Sequence, residues 1–331
     1  MKKALKAVAL LMVAVILVAT FSACGGKSNL FKIGIIQIAE HEALNSAYKG
    51  FVDALKEDGY EDGVNIELDF HNAQGDQSNC QTISDKFVTE NKDLILAIAT
   101  PAAQAIAQKT KTIPILVTAV TDPASADLVA SNDAPGGNVS GTSDMNPIDQ
   151  QIDYIKQILP QAKSVGILYC SSEANSKYQC DIAKESLNKR GMSAVEYTVS
   201  DANEIQQVVE TAVSKKQVDA IYIPTDNVIA SAMATVSSIT TNAKLPVFCG
   251  ESNMVAAGGF FTYGVDYYKL GRLTAKMAEK VMKGEATTAT MPIEYLQDCT
   301  IVVNEDVMNK IGITLPEAIK AQATYVKTTQ Q

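Results

Sequence analysis

The sequence predicts an α/β protein of two similar, doubly wound parallel-sheet lobes, joined by a hinge that the chain crosses several times. Three observations predict it. The chain has 331 residues, which fits roughly two domains. From Phe31 onward, strand-like and helix-like segments alternate, the pattern of a parallel sheet covered on both faces. The same strand beginnings then recur about 130 residues later, a period far longer than that of a solenoid. Lys32-Ile33-Gly34-Ile35-Ile36 matches Ser164-Val165-Gly166-Ile167-Leu168, Asp93-Leu94-Ile95 matches Asp219-Ala220-Ile221, and Ile113-Pro114-Ile115 matches Leu245-Pro246-Val247.

The chain opens with an export address. Lys2, Lys3 and Lys6 precede an unbroken apolar run from Ala7 to Ala19 and then Thr20-Phe21-Ser22-Ala23-Cys24. That run is shorter than the ~20 residues that span a bilayer, so residues 1–23 are expected to be a signal peptide. Small residues directly before a cysteine resemble a lipobox, in which Cys24 is diacylated and becomes the new N-terminus. Phe21 departs from that pattern, since an aliphatic residue is commonest there. A plain secretory peptide is the alternative. Residues 24–30 read as the lipidated tether, and the Gly-Lys-Ser within it lacks the first glycine of a phosphate loop.

Phe31 to Ala39 reads as a strand. Ala43 to Asp58 then places Leu44, Ala47, Tyr48, Phe51 and Leu55 on one helical face and stops at Gly59. Val64 to Phe70 alternates as a strand, Asp76 to Asn91 reads as helix, Leu94 to Ala99 as a buried strand, the segment after Pro101 as helix and Ile113 to Ala119 as a buried strand. After the second series, Phe260 to Gly264 leads into a helix from Tyr267 to Met282 that has no counterpart there. That helix is therefore expected to return to the first lobe, with Cys299 to Val303 going back to the second. The expected organisation is lobe one at 31–145 plus 264–292, and lobe two at 146–263 plus 293–331. Multiple crossings suit a hinge that opens and closes without a floppy linker.

Composition excludes several functions. With 47% hydrophobic and 20% charged residues and a net charge of −9, the chain is an ordinary globular protein and a poor partner for nucleic acid. After Cys24 come Cys80, Cys170, Cys180, Cys249 and Cys299. Their odd number and the lack of a CxxC indicate neither a disulfide framework nor a zinc site, and Cys170 and Cys249 end apolar runs as buried thiols. His41-Glu42 lacks the second histidine of HExxH, Gly141-Thr142-Ser143 lacks the closing glycine of a nucleophile elbow, and no GxGxxG follows the first strand. No catalytic residue, metal or cofactor is expected. His71 reads as a solvated loop residue, whereas His41 is a candidate to line a pocket.

Binding signals are better placed. In open parallel sheets, ligands sit beyond the carboxyl ends of strands, where helix N-termini present free N–H groups. In lobe one those ends supply Gln37, Glu40, His41, Thr121, Asp122 and the run Thr100-Pro101-Ala102-Ala103. Thr100 before a proline looks like an N-cap that can hold a ligand carboxylate, or simply cap. In lobe two they supply Ser171, Glu173, Asn175, Ser176, Asp226, Asn227 and Glu251, with Asp266 before the returning helix. Asp226 and Glu251 are candidates for a ligand ammonium, with helix capping as the alternative. Tyr267 or Tyr268 can stack on a ligand.

One long motif carries a family resemblance. Thr121-Asp122-Pro123 with Leu128-Val129, followed by Pro135-Gly136-Gly137-Asn138-Val139-Ser140-Gly141-Thr142-Ser143, resembles the run TDP…LV…PGGN[VI][TS]G.[ST] of a family of ABC-importer substrate-binding lipoproteins. Gly264 to Arg272, ending at Lys283-Gly284-Glu285, resembles that family's corresponding helix, and the likeness covers essentially the whole mature chain. The resemblance implies a fold similar to the type I periplasmic binding proteins, with a small ligand clamped between lobes and delivered to an ABC permease and its ATPase. Relatives include binders of tryptophan, tyrosine and phenylalanine. The expectation is therefore a non-enzymatic protein, lipid-anchored to the outer face of a bacterial cell membrane, that binds an aromatic or other apolar L-amino acid. The alternatives are a sugar- or nucleoside-binding protein of the same fold, a surface ligand-sensing receptor and an extracytoplasmic enzyme.

Overall fold

The computed structural model describes residues 30–329. Cys24, the expected signal segment and the tether up to residue 29 lie outside the described residues. Among the described residues, no helix is long and apolar enough to cross a membrane.

The first sheet consists of β1 (Phe31–Gln37), β2 (Ile66–Asn72), β3 (Leu94–Ile98), β4 (Ile115–Val120), β5 (Val139–Ser143) and β11 (Glu294–Tyr295). Its order is β11-β5-β4-β3-β1-β2, every pair parallel. The crossovers carry α1 (Glu42–Glu57), α2 (Gln77–Thr89) and α3 (Thr100–Lys109). β3 and β4 are buried throughout, as strands covered on both faces must be.

The second sheet contains β6 (Ser164–Cys170), β7 (Ser193–Val199), β8 (Ala220–Ile223), β9 (Val247–Cys249), β10 (Phe261–Gly264), β12 (Thr300–Asn304) and β13 (Ala323–Val326), in the order β13-β12-β10-β9-β8-β6-β7. Its helices are α4 (Ile148–Ile158), α5 (Ala174–Lys189), α6 (Ile205–Lys215), α7 (Asn227–Ser231), α8 (Met233–Asn242), α9 (Ser252–Ala256), α11 (Glu305–Ile311) and α12 (Glu317–Lys320). Two apolar clusters, one around Ile152, Tyr222 and Phe261 and the other around Ile221, Val209 and Met233, fill the space between this sheet and its helices.

Helix α10 (Tyr267–Met282) leaves β10 of the second sheet and packs along α1 of the first lobe. Two glycines allow the close approach. A Cβ on Gly50 would stand 2.0 Å from the Tyr268 carbonyl oxygen, and one on Gly271 would stand 1.9 Å from that of Ala47. At the rim, Tyr268 Oη donates to Asp53 (2.9 Å) and Arg272 to Glu57 (2.9 Å). The chain then returns through β11 and passes to β12, so it crosses between the sheets three times.

The long motif works mainly as architecture. The Asn138 amide donates to the carbonyls of Thr110 (3.2 Å) and Ile113 (2.8 Å), tying β5 to the loop before β4. Gly141, at φ +140°, leaves room for Val117, whose carbonyl oxygen would lie 2.1 Å from any Cβ there.

Four details differ from the expectation. β2 begins two residues late, because Glu61 to Asn65 form a turn in which the Asn65 amide reaches the Glu61 carbonyl at 3.1 Å. Glu294–Tyr295 adds to the first sheet beside Thr142 and Ser143, so the segment after 292 does not go straight to lobe two. β12 runs antiparallel to β10, an exception in an otherwise parallel second sheet. His71 lies within β2, half-buried, where its ring nitrogen meets Asp69 (2.9 Å) and Lys86 (2.6 Å).

Candidate ligand-binding site

A narrow cavity lies between the lobes at the carboxyl ends of their strands. Lobe one lines it with His41, Ala43 and Leu44 at the start of α1, Ala119 and Thr121 at the end of β4, and Asp144 after β5; Tyr267 opens α10 beside them. A register shift between Val117 and Val120 and a left-handed Ala119 (φ +55°) mark the bulge that turns this strand end toward the cleft. Lobe two contributes Asn175 from α5, Thr225 to Asn227 and Ala230 around α7, and Glu251 and Met254 around α9.

The cavity is acidic and its acids are dry. Asp144 is 3% exposed; its Oδ2 accepts from Tyr267 Oη, its Oδ1 has no partner among the described residues, and burial raises its carboxyl above the ordinary range. Glu251, 2% exposed, accepts from the amides of Asn253 (2.5 Å) and Met254 (2.7 Å). Burial, with the charge of Asp144 adding to it, pushes Glu251 up to about 7. Asp226 accepts from the amides of Cys170 (2.6 Å) and Ile229 (2.8 Å), and burial raises it too. Behind them, burial and then the charge of Asp226 push Glu173 up to about 8. Among the described residues, no lysine or arginine lines the cavity. Desolvation lowers His41 to about 4 against an opposing hydrogen bond to Asn227, so at neutral pH the ring is uncharged. Buried carboxylates without a cation favour a cationic group brought from outside.

The lobes are held together across the cleft by uncharged polar contacts. His41 Nε2 donates to Asn227 Oδ1 at 3.3 Å, and the hydroxyls of Thr121 and Thr225 meet at 3.2 Å. The Gln179 amide donates to both hydroxyls, at 3.2 and 2.7 Å.

The sequence-predicted residues divide into three groups. His41, Thr121, Asn175, Asp226, Asn227 and Glu251 line the cavity. Asp226 and Glu251 also cap α7 and α9, so the capping and binding readings coincide in the same side chains. Glu173 and Ser176 stand directly behind the wall: Glu173 Oε2 accepts from both Asn175 and Asn227, and Ser176 reaches the same oxygen. The remainder does structural work outside the cavity. Gln37 is buried and donates to the Ala39 carbonyl and Asn45. Asp122 holds the loop after β4 through Ser125 and Asn132, Ser171 is exposed and bonds the Val199 carbonyl, and Asp266 caps α10 at Lys269. Glu40 is exposed.

Thr100 is not the N-cap: that place falls to Ala99 at φ +80°, and Thr100, Ala102 and Ala103 are buried in α3 away from the cavity. Among the helix starts that face the cavity is that of α1, whose cap residue His41 makes no side-chain capping bond. Its first-turn amides have no intrahelical acceptor. Asp144 was missed because β5, Val-Ser-Gly-Thr-Ser, carries no apolar run; read as a strand, its carboxyl end points directly to Asp144.

The chain is similar to several known proteins. A "Tyrosine-binding protein" of Clostridioides difficile is 43% identical over 281 residues, covering 85% of this chain and 81% of its own. An ABC domain from Streptococcus pneumoniae, solved in complex with L-Trp, is 40% identical with a TM-score of 0.86, covering 90% of this chain and 100% of its own. A substrate-binding protein with adhesive properties from Clostridium difficile, solved in a ligand-free, open form, is 44% identical, yet its TM-score is 0.69, with coverage of 91% and 100%. At nearly equal identity, this chain superposes better on the L-Trp complex than on the ligand-free, open structure. The fold is that of the type I periplasmic binding proteins. The family described as ABC transporter substrate binding protein matches residues 32–327, and the chain belongs to that family of non-enzymatic solute binders.

Proposed function

We propose that this protein clamps an L-amino acid with an aromatic or other apolar side chain and delivers it to a membrane permease. The observation that carries the reading is the set of buried carboxylates at Asp144 and Glu251, one oxygen of Asp144 having no partner among the described residues, in a cavity that none of the described lysines or arginines lines. An ammonium held between these two groups supplies the missing cation. The first turn of α1, at Ala43 and Leu44, offers backbone donors to a carboxylate, in place of the α3 terminus expected from the sequence. Leu44, Ala119, Ala230 and Met254 supply apolar wall.

The tyrosine-binding and L-Trp-bound relatives support this ligand class. Three chain crossings suit lobes that rotate as rigid bodies, with ligand favouring the closed form presented to the permease. Calorimetry against the twenty amino acids is the test: saturable binding of an apolar or aromatic member supports the reading, and selective binding of a neutral sugar overturns it. Export and lipid anchoring through Cys24 belong to the same proposal. Cys24→Ala should release the protein from the membrane fraction, and membrane retention of the processed variant would contradict it.

A further inference from the structure

We propose that a groove beside the cleft is a second ligand site, one that takes a small organic cation with an apolar body. The groove holds about 550 Å³ and is walled by both lobes. It is separate from the cavity described above and shares only Asn227 with it, the residue whose hydrogen bond to His41 stands between the two spaces.

Three features set the chemistry. Glu173, 4% exposed, lines the groove, and all four hydrogen bonds it accepts, from Asn175, Ser176 and the backbone and side chain of Asn227, go to Oε2. Oε1 is left without a protein partner among the described residues, and the groove is the open space that Glu173 borders. Glu40 and Asp201 add two further carboxylates, and no lysine, arginine or histidine lines the groove. Ile38, Ala39, Pro101 and Val228 give it an apolar floor. A primary ammonium on Oε1 with an aromatic or aliphatic body on that floor satisfies each of these.

Burial and the charge of Asp226 hold the Glu173 carboxyl back from ionising, a penalty that a bound cation relieves. Because the walls come from both lobes, the groove is complete only when the cleft is closed. Occupancy of the two sites is therefore positively linked, whatever the cleft itself binds.

Alanine methyl groups report the two sites separately, Ala39 and Ala202 in the groove and Ala119 and Ala230 in the cavity. The experiment titrates the ¹³C-methyl-labelled exported chain with phenethylamine, an ammonium without a carboxylate, in the presence and absence of L-tyrosine. Phenethylamine should shift Ala39 and Ala202 saturably, more tightly when L-tyrosine occupies the cavity. Glu173→Gln, which keeps shape but removes charge, and Gln104→Lys, which sets a competing cation in the groove, should each weaken this binding about tenfold. Absence of a saturable shift, a shift confined to Ala119 and Ala230, or indifference to both variants would overturn the proposal. Failure of L-tyrosine to move Ala119 and Ala230 would count against the cleft reading alone, leaving the groove to be judged on Ala39 and Ala202.

Discussion

Acidification should weaken ligand binding, and Glu251 sets the size of the effect. Its carboxyl, ordinarily at 4.5, lies at about 7 in the closed cleft, chiefly through burial. The ionised form holds a ligand ammonium; the protonated form does not. A carboxyl of that pKa is about nine-tenths protonated at pH 6 and about one-tenth at pH 8, so protons compete with the ligand across this window. The dissociation constant should rise about tenfold from pH 8 to pH 6, a loss of about 1.4 kcal/mol. The ligand-free closed form responds with the opposite sign. A raised carboxyl favours it fully below pH 4.5, and that advantage, about 3 kcal/mol for the shift from 4.5 to about 7, is lost as the pH rises through 7. Asp144, raised in the same direction, adds to both trends. Calorimetry in phosphate and in Tris between pH 6 and 8 reads the affinity and the protons released together, and Glu251→Gln should flatten the profile. A constant affinity with buffer-independent heats would refute the assignment of the ammonium to these carboxylates.

Gly271→Ala should lower the thermal midpoint by several degrees without changing the ligand preference, because a Cβ there meets the Ala47 carbonyl at 1.9 Å and overpacking costs about 1–3 kcal/mol. An unchanged midpoint would mean that α1 and α10 separate freely. Thr121→Val removes the hydroxyl shared by Thr225 and Gln179 across the cleft, so small-angle scattering should show a larger radius of gyration at subsaturating ligand and calorimetry an affinity about tenfold weaker. Identical curves for variant and wild type would show that these contacts do not hold the lobes together.

The fold was legible because its signals are periodic and repeated. Apolar strands such as Leu94–Ile98 and helices such as Tyr267–Met282 announce themselves, and the recurrence of strand beginnings exposes two lobes. The strands that escaped carry no such signal: β5 is small and polar, and β11 is two residues long and ordered only by pairing with β5. The site was legible in its strand ends, since Thr121, Asp226 and Glu251 follow from topology alone. Thr100 misled because Thr-Pro describes an N-terminus equally well when Ala99 takes the cap position, and because sequence does not reveal which helix start faces the partner lobe. Asp144, whose Oδ1 lacks a partner among the described residues, sits immediately after β5, a strand that hydrophobic patterning cannot find.

The central claim, that a ligand ammonium is buried against Asp144 and Glu251, is tested most directly by comparing L-tyrosine with N-acetyl-L-tyrosine in the same calorimeter. Acetylation keeps the ring and carboxylate, removes the cation and adds one acetyl group, so desaminotyrosine, which lacks the amine and adds no bulk, is titrated beside it and should be weakened alike. The account predicts that L-tyrosine binds and that acetylation weakens binding by about 30-fold or more, the cost of leaving buried carboxylates unpaired. Equal affinity for the two compounds would contradict it.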